Sequence, residues 1–286
     1  MKITGKKVFN IFNVLIMLFL VLITAYPLYY VVIASFSDPI KLASHSGIML
    51  LPLEPYNFNA YKYVFEHPLL ISGFRNTIVI FVVGTVLNIL FTSLCAFFLS
   101  QKGPMFQRIV ALMIVFTMYF NGGMVPNYML VKNLGLMDSL WSLILPGLIS
   151  VGNMIILKAA FQAVPESLTE AALLDGASYI QIMFKIMLPL SKATIAVLAL
   201  YYALDYWNAW FGASIYIRDK SLYPIQLAVR NLLDSDVAQA GDYVAARHAQ
   251  LMKYAIIVVT STPIIMIYPF IQKYFTQGVM MGSVKS

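Results

Sequence analysis

The chain has 286 residues, of which 60% are hydrophobic and only 11% are charged. An average soluble domain has about 45–50% apolar and about 25% charged residues, so this composition excludes an ordinary soluble protein. The net charge of +7 is distributed over the segments between apolar blocks, and this distribution argues against a nucleic-acid partner.

Six apolar blocks are long enough to cross a bilayer, which takes roughly 20 residues of helix. The predicted spans lie at about 11–34, 76–99, 108–130, 139–161, 190–216 and 252–273. The first block follows three lysines, as a signal peptide would, but it is longer than an h-region of about 7–15 residues and lacks a small-residue cleavage site. We therefore expect an uncleaved span. Six spans place both termini on one side, and the basic residues of the short loops weakly favour the cytoplasm.

Side chains for disulfide or metal chemistry are few in this sequence. Cys95 is the only cysteine and lies inside an apolar block, which is typical of a small buried hydrophobe. The histidines, His45, His67 and His248, are far apart and have no neighbouring ligand at metal-binding spacing. The sequence also lacks the phosphate-binding pattern G-x-x-x-x-G-K-[ST], so we expect this chain to hold neither a metal nor ATP itself.

The loop at 164–189, between the fourth and fifth blocks, carries signals for two short helices. It starts with a proline and acidic residues, which suit the first turn of a helix. Gly176 tolerates the left-handed conformation that ends a helix. Ser178 and Gln181 have the spacing of a capping box, which starts a second helix. We therefore predict a cytoplasmic helical hairpin that Pro189 turns into the fifth span; these signals alone would equally fit an ordinary interhelical loop.

The same loop contains a longer pattern of fixed residues and spacings. Glu170-Ala171-Ala172, then Gly176, then Ile186-x-Leu188-Pro189 resembles the complete EAA motif E-A-A-x3-G-x9-I-x-L-P of ABC importer permeases. In that family the loop forms a coupling helix that docks in a cleft of the cytoplasmic ATPase subunit. The resemblance implies these ATPase-coupling residues: Glu170, Ala171, Ala172, Asp175, Gly176, Leu188 and Pro189.

The resemblance extends over most of the chain. The stretches 52–65, 132–139, 206–210, 222–227 and 272–285 are similar to those of maltose-type carbohydrate permeases, and most of all to permeases for oligosaccharides derived from polysaccharides. This implies an all-α membrane protein with six transmembrane helices and the MetI-like type I ABC importer permease fold, as one domain over 1–286. It also implies a location in the bacterial cytoplasmic membrane, with both termini in the cytoplasm.

The implied partners are a homologous permease subunit, two cytoplasmic ATPase subunits that bind ATP and Mg, and an extracytoplasmic solute-binding protein. This chain would then bind no cofactor and would not be an enzyme. Its cargo would be a sugar or an oligosaccharide.

The fifth block combines polar and aromatic side chains that suit a sugar, which offers CH faces for stacking and hydroxyls for hydrogen bonds. A carboxylate in an apolar span is costly unless it faces a cavity or a partner. We expect these substrate-pathway candidates: Asp205, Tyr206, Trp207, Asn208 and Trp210. The aromatic rings would equally suit an interfacial belt, and the two polar side chains would equally suit hydrogen bonds to a neighbouring helix.

Two further segments have roles implied by the resemblance. The outer loop at about 217–251 would reach towards the binding protein, although a solvated linker would look the same. The C-terminal tail would contact the ATPase dimer through Gly278, Gly282 and Lys285, although a frayed terminus is the simpler alternative.

Two other functional classes are alternatives to the importer. A proton- or ion-coupled secondary transporter would be expected to show charged or broken helices at mid-membrane, and Asp205 is the only clearly intramembrane acid here. A membrane-embedded transferase would need clustered acids or histidines at one membrane face, which the sequence lacks. Neither class explains the EAA spacing.

Overall fold

The computed structural model describes residues 5–101, 103, 106–239, 251–267 and 269. Within these residues all regular structure is helical, in agreement with the predicted all-α class. The helices are α1 (Gly5–Ser35), α2 (Pro39–Ser44), α3 (Asn59–Glu66), α4 (Pro68–Ser100), α5 (Gln107–Tyr119), α6 (Met124–Asn133), α7 (Trp141–Gly147), α8 (Val151–Gln162), α9 (Glu166–Leu174), α10 (Tyr179–Leu190), α11 (Lys192–Trp207), α12 (Phe211–Tyr216), α13 (Ile225–Gln239) and α14 (Leu251–Ile267).

Two of the described helices are long and apolar enough to cross a membrane unbroken, within α1 and α4. Three bent helix pairs bring the possible number of spans to five: α5 with α6, α7 with α8, and α10 with α11. The apolar helix α14 is shorter, and the last part of the predicted sixth span lies outside the described residues. The six predicted spans and the single domain over 1–286 therefore stay predictions.

The predicted third span is not one straight helix. It consists of α5 and α6, which meet at an angle of 117°. Gly123 sits at the break with a φ of +87°, a left-handed value that glycine adopts at low cost. The Asn121 side chain accepts a hydrogen bond from the Gly123 N–H at 2.9 Å. A pair of glycines after an asparagine thus ends α5 and redirects the chain.

The chain divides into two compact units. The first unit comprises Met1–Pro68 and Val229–Pro263. Within it Tyr30 meets Tyr254 edge to face at a ring distance of 6.0 Å, and Phe36 stacks on Tyr61 at 4.9 Å. Most of α1 presents large apolar side chains to its surroundings, as a helix in contact with lipid or another subunit does.

The second unit comprises Leu69–Ala228 and Ile264–Ser286. Its main core joins α4, α8, α10 and α11 and is formed by these buried residues: Ala96, Phe97, Leu99, Met154, Leu157, Phe161, Ile182, Met183, Met187 and Leu198. Phe97 and Phe161 meet edge to face at 6.3 Å within it. Three of these side chains belong to α10. The segment after the fourth predicted span, which contains α10, is therefore part of the core and not a loop on its surface.

Candidate coupling site and substrate pathway

The segment from α9 to α10, which we call the EAA hairpin, begins with a helix that has a well-defined end. Pro165 is the N-cap of α9, one residue before the first-helical position. At the other end Gly176 has a φ of +80°. The Gly176 N–H donates to the Leu173 carbonyl at 3.0 Å, and the Ala177 N–H donates to the Ala172 carbonyl at 2.9 Å. This pair of bonds is a Schellman motif, so the predicted helix end at Gly176 is confirmed.

The second helix of the hairpin starts at a complete capping box. The Gln181 N–H donates to Ser178 Oγ at 3.3 Å, and the Ser178 N–H donates to Gln181 Oε1 at 2.8 Å. The capping box predicted from the sequence is confirmed. Both ends of the four-residue connection between α9 and α10 are therefore held by hydrogen bonds that its own residues make.

The turn into α11 does not lie at Pro189, where the sequence analysis placed it. Pro189 is inside α10, and the chain bends by 87° at the following break, where Ser191 is buried. A π-helical turn at Met183–Met187 precedes the proline and is closed by a hydrogen bond from the Leu188 N–H to the Met183 carbonyl. The wider turn accommodates a residue that has no N–H to donate, so α10 continues past the proline.

The coupling residues implied by the EAA motif differ in exposure. Glu170, Ala171, Asp175, Gly176 and Pro189 are exposed, whereas Ala172 and Leu188 are half-buried against the core. The hairpin also exposes large apolar side chains, which form what we call the hairpin patch: Leu173, Leu174, Tyr179, Ile180 and Phe184. The side chain of Leu174 is 89% exposed. An apolar patch rimmed by acidic residues is typical of a protein-binding surface.

A cavity of about 640 Å³ opens beside the hairpin patch, between the end of α4 and the start of α10. Its wall is formed by Leu94, Phe97, Phe98, Gln101, Gly103, Tyr179, Ile180 and Met183. This cavity could not be predicted from the sequence, because its two walls come from segments about 80 residues apart in the chain.

The substrate-pathway candidates of the fifth predicted span lie on two different faces. Tyr206 and Trp207 are each only 6% exposed. The Trp207 ring packs against Phe81 at 6.4 Å, and the Tyr206 hydroxyl donates to Asn88 Oδ1 at 2.8 Å. Both side chains therefore face the interior of the second unit.

The other three candidates are exposed: Asp205, Asn208 and Trp210. Helix α11 ends at Trp207, so Asn208 is its C-cap, and Trp210 precedes the next short helix. A charged carboxyl in an apolar span is costly, by about 2.5–3.5 kcal/mol at the bilayer centre on insertion scales, so we expect the Asp205 side chain to face water or a polar partner.

Close packing holds Tyr206 in place. Gly84 lies under its ring, and a Cβ built on this glycine would come within 2.8 Å of Tyr206 Oη. Gly84 ends a π-helical turn, Ile80–Gly84, inside α4. A glycine is therefore required at this position by the close approach of a neighbouring helix.

Polar side chains form hydrogen bonds with the open backbone groups at the break between α7 and α8, where the two helix axes differ by 52°. Asn88 donates from Nδ2 to the Gly147 carbonyl at 3.0 Å, and the Ser150 N–H donates to the Tyr202 hydroxyl at 3.1 Å. Tyr202 also shares a 2.7 Å hydrogen bond with Thr92. Non-helical backbone in a membrane must be satisfied inside the protein, and these side chains do so. This role was not predicted, although two polar residues at i, i+4 in an apolar block, Asn88 and Thr92, are a signal for it in the sequence.

The break between α5 and α6 is not covered in this way. Phe120, Asn121, Gly122 and Gly123 are all exposed. Irregular backbone at membrane depth is tolerated only where it is buried in protein or lines a water-filled cavity. If it lies at membrane depth, we expect this break to face another subunit or water rather than lipid.

The segment between α12 and α13 is held by polar side chains of the second unit. Asp138 accepts hydrogen bonds from the N–H groups of Arg218 and Asp219, and its own N–H donates to the Tyr216 carbonyl at 3.0 Å. The two backbone donors lower the pKa of the Asp138 carboxyl from its ordinary value. This contact joins segments 80 residues apart in the chain.

The N-terminal part of α4 adds a second pair of anchors to that segment. Asn76 donates from Nδ2 to the carbonyls of Ser221 and Tyr223, at 2.8 and 3.1 Å. Thr77 Oγ1 accepts a hydrogen bond from the Ile225 N–H at 2.8 Å. The start of the predicted outer loop is thus fixed from Arg218 to Ile225. The later part of that loop from 240 and the predicted tail contacts Gly278, Gly282 and Lys285 lie outside the described residues.

Comparison with known proteins identifies the family to which this architecture belongs. Residues 89–281 match the family model of the binding-protein-dependent transport system inner membrane component. The chain belongs to this permease family. The permease is 39% identical to protein LplC of Bacillus subtilis, over 98% of this chain and 95% of that protein. It is 38% identical to the polygalacturonan/rhamnogalacturonan transport system permease protein YtcP of Bacillus subtilis, over 96% of this chain and 99% of that protein.

A solved structure shows the same fold. The permease superposes with a TM-score of 0.88 and 29% identity on a chain of a bacterial ABC transporter involved in the import of the acidic polysaccharide alginate. The match covers 96% of this permease and 99% of that chain. The predicted fold and the EAA motif are confirmed as those of the family. The permease is a membrane protein and a transport component rather than an enzyme.

Proposed function

We propose that this permease forms, with one homologous subunit, the translocation pathway of an importer for a sugar or an oligosaccharide. Two ATPase subunits on the cytoplasmic side would drive it, and an extracytoplasmic binding protein would deliver the cargo. One observation carries the proposal. The EAA motif lies on a hairpin whose helix ends are capped, whose second helix packs into the core and whose other face is exposed. In this proposal that face docks on the ATPases, so the hairpin lies in the cytoplasm, and with six spans both termini would lie there as well.

The hairpin is built to transmit a rigid-body motion. The Schellman motif and the capping box fix the angle between α9 and α10. Ile182 and Met183 of α10 are almost fully buried in the same core as Phe97 of α4 and Phe161 of α8. A displacement of the hairpin by a closing ATPase dimer would therefore move these helices together. The energy for the change comes from tighter binding of ATP to one of the two states.

Exposed acids and apolar side chains give the hairpin a surface that suits a protein partner. Glu170 and Asp175 supply negative charge, and Leu174 and Ile180 supply apolar area. The small side chain of Ala171 lets a partner approach the helix backbone closely. In this proposal Glu170, Ala171 and Gly176 contact the ATPase, whereas Ala172 and Leu188 support the hairpin from the core side.

The sugar cargo rests on the relatives and on chemistry. Relatives of this permease are named for the transport of polygalacturonan and rhamnogalacturonan and of arabinooligosaccharides, the latter 26% identical and from Halalkalibacterium halodurans. The exposed candidates Asp205, Asn208 and Trp210 combine hydroxyl-binding groups with an aromatic face. We assign the pathway role to these three. Tyr206 and Trp207, which are buried, hold α11 in place.

Co-purification tests the docking surface. The permease, its partner subunit and the ATPase are co-expressed, and the ATPase retained by the tagged permease is quantified together with ATP-driven uptake. Glu170→Arg is expected to reduce both at least tenfold, because charge reversal and bulk disrupt a close-packed interface. Glu66→Arg, the same change at an exposed position in α3, serves as the matched control and is expected to leave both unchanged. Retention of the ATPase and of uptake by Glu170→Arg would refute the proposed coupling.

A further inference from the structure

The segment between α2 and α3 folds back along α1. The Leu53 N–H donates to Ser37 Oγ at 3.0 Å, just beyond the end of α1. Four residues earlier, the Met49 N–H donates to the Tyr26 hydroxyl at 3.0 Å. Tyr26 lies nine residues before the last residue of α1 (35 − 26), or about 14 Å along the helix axis. An extended chain of four residues covers about 13 Å, so residues 46–53, which we call the fold-back loop, run back along the helix to that level.

Two tyrosines of α1 satisfy backbone groups at the tip of the fold-back loop. The Tyr26 hydroxyl accepts a hydrogen bond from the Met49 N–H, and the Tyr29 hydroxyl donates one to the Leu50 carbonyl. The Met49 side chain is buried, which fixes the tip against the rest of the first unit. Polar backbone groups enter an apolar medium only where the protein itself supplies their partners. At the tip of this loop, the helix beside it supplies two such partners.

The remaining side chains at the tip are large, apolar and exposed. Ile48, Leu50 and Leu51 are between 66% and 76% exposed. The whole fold-back loop lacks a charged residue, although loops that face water are normally polar. An exposed apolar cluster of this kind marks contact with a partner or with a membrane.

The level of the tip in the membrane follows from α1. The apolar part of this helix begins at Phe9, and about 20 residues of helix cross the hydrocarbon core. Counted from Phe9, the core ends near residue 28, where Tyr26, Tyr29 and Tyr30 lie. Tyrosines are enriched at the boundary between acyl chains and headgroups. The length of α1 and its tyrosines therefore indicate the same level for the tip of the fold-back loop, which is this boundary.

We propose that the fold-back loop anchors the permease in the membrane interface at the C-terminal end of α1. Ile48, Leu50 and Leu51 insert between the headgroups and the upper acyl chains, and Tyr26 and Tyr29 hold the loop at that depth. In the orientation of the proposed function, this interface belongs to the outer leaflet. The inference rests on the membrane location of the family and requires neither the cargo nor the ATPase contact.

The depth of the loop favours lipid over a protein partner. A soluble binding protein approaches from the water beyond the headgroups, whereas the tip lies about 14 Å below the end of α1, level with the tyrosines. The exposed apolar side chains of α1, Leu22 and Ile23 among them, continue from the tyrosines towards the membrane centre. A lipid surface would cover the loop and these side chains together.

Fluorescence quenching locates the loop. Leu51→Cys and Glu54→Cys are made in a Cys95→Ala background, labelled with an environment-sensitive fluorophore and reconstituted in phosphatidylcholine vesicles as the full importer with cysteine-free partner subunits. Quenching by lipids with a nitroxide high on the acyl chain is compared with quenching by aqueous iodide. We expect the ratio of lipid to iodide quenching to be roughly threefold higher at position 51 than at position 54. Glu54 is the matched control, because it is exposed in the same segment but adjoins Leu53, at the level of the end of α1.

The double variant Tyr26→Phe with Tyr29→Phe removes both hydrogen bonds and should lower the ratio at position 51 towards that at position 54. An unchanged ratio would overturn the role of the tyrosines. Iodide quenching without lipid quenching at position 51 would overturn the anchor, and so would quenching by neither reagent, which would show that a protein covers the loop. Iodide quenching that the loaded binding protein abolishes would assign the loop to protein docking and overturn the anchor as well. None of these outcomes changes the result expected for Glu170→Arg, so the anchor and the proposed function can fail independently.

Discussion

Tyr206 donates a hydrogen bond to Asn88 at 2.8 Å, and this contact joins α11 to α4 inside the second unit. Asn88 uses its amide nitrogen for the Gly147 carbonyl, at the break between α7 and α8. A single amide side chain therefore serves a neighbouring helix and an otherwise open carbonyl at once. Both atoms are shielded from solvent, so loss of this side chain leaves two polar groups without a partner.

Asn88→Ala is expected to destabilise the permease more than Tyr206→Phe does. The alanine variant leaves the Gly147 carbonyl and the Tyr206 hydroxyl unsatisfied, at a cost of about 1–3 kcal/mol. The phenylalanine variant removes one hydrogen bond and should cost about 1 kcal/mol or less. Thermal unfolding of the purified complex in detergent measures both. Equal losses of stability for the two variants would show that the hydrogen bond to the Gly147 carbonyl contributes nothing to the stability.

Gly84→Ala tests the close approach of Tyr206 to α4. The added methyl group overlaps the ring, so we expect a loss of about 1–3 kcal/mol, as for an overpacked core. Gly152→Ala is the matched control, because a Cβ on that helical glycine meets only Ser150 Oγ, at 4.0 Å. The control should be neutral or slightly stabilising. The double variant Gly84→Ala with Tyr206→Leu should recover part of the loss, and failure to do so would place the clash elsewhere.

Gly176→Val is expected to uncouple the importer more than Gly176→Asn does. A left-handed residue other than glycine costs about 1–2 kcal/mol, least for asparagine, and valine would favour a different end for α9. Stimulation of ATP hydrolysis by the loaded binding protein should fall severalfold for valine and remain close to normal for asparagine. There is open space around this glycine, so a defect of equal size in both variants would point to a steric requirement of the partner instead.

The Asp138 contacts predict a pH-dependent anchor for the segment after α12. The pKa of this carboxyl is lowered by the N–H groups of Arg218 and Asp219. The folded-state pKa is therefore below the ordinary value of 3.8, so the stabilisation is complete above that value and is lost as the pH falls through the lowered pKa.

Hydrogen exchange of the Arg218 and Asp219 amides measures that anchor. Asp138→Gly keeps the left-handed backbone and removes the carboxylate, and it should speed exchange about tenfold near neutral pH. Asp138→Asn retains a neutral hydrogen-bond acceptor, so its exchange rate should lie between those of the unmutated protein and the glycine variant. As the pH falls through the lowered pKa, the unmutated protein should approach the glycine variant. A difference that persists undiminished in acid would mean that the ionised carboxylate is not the anchor.

The parts of the EAA hairpin that the sequence predicted correctly are those fixed by neighbours in the chain. The helix end at Gly176 and the capping box of Ser178 and Gln181 depend on residues within a few positions of each other. The position of the bend was wrong by two residues. A π-helical turn carries α10 past Pro189, and the sequence signal for such a turn is weak.

The faces of α11 could not be predicted, because nearly every position in an apolar span is hydrophobic and the pattern has little periodicity. The contacts that orient the helix are also distant in sequence: Tyr206 and Asn88 are 118 residues apart, and Tyr202 and Thr92 are 110 apart. The sequence therefore grouped five pathway candidates within six positions, Asp205 to Trp210, of which the structure places two in the interior.

The most direct test of the coupling account is site-specific photo-crosslinking from the exposed face of α9. A photoreactive amino acid is introduced at Ala171 in the assembled importer, and the captured subunit is identified by mass spectrometry. The matched control position is Leu112, which is exposed on the apolar helix α5. The account predicts that position 171 captures the ATPase subunit and position 112 does not. Capture of the ATPase from neither position, in complexes that still hydrolyse ATP on addition of the binding protein, would contradict it.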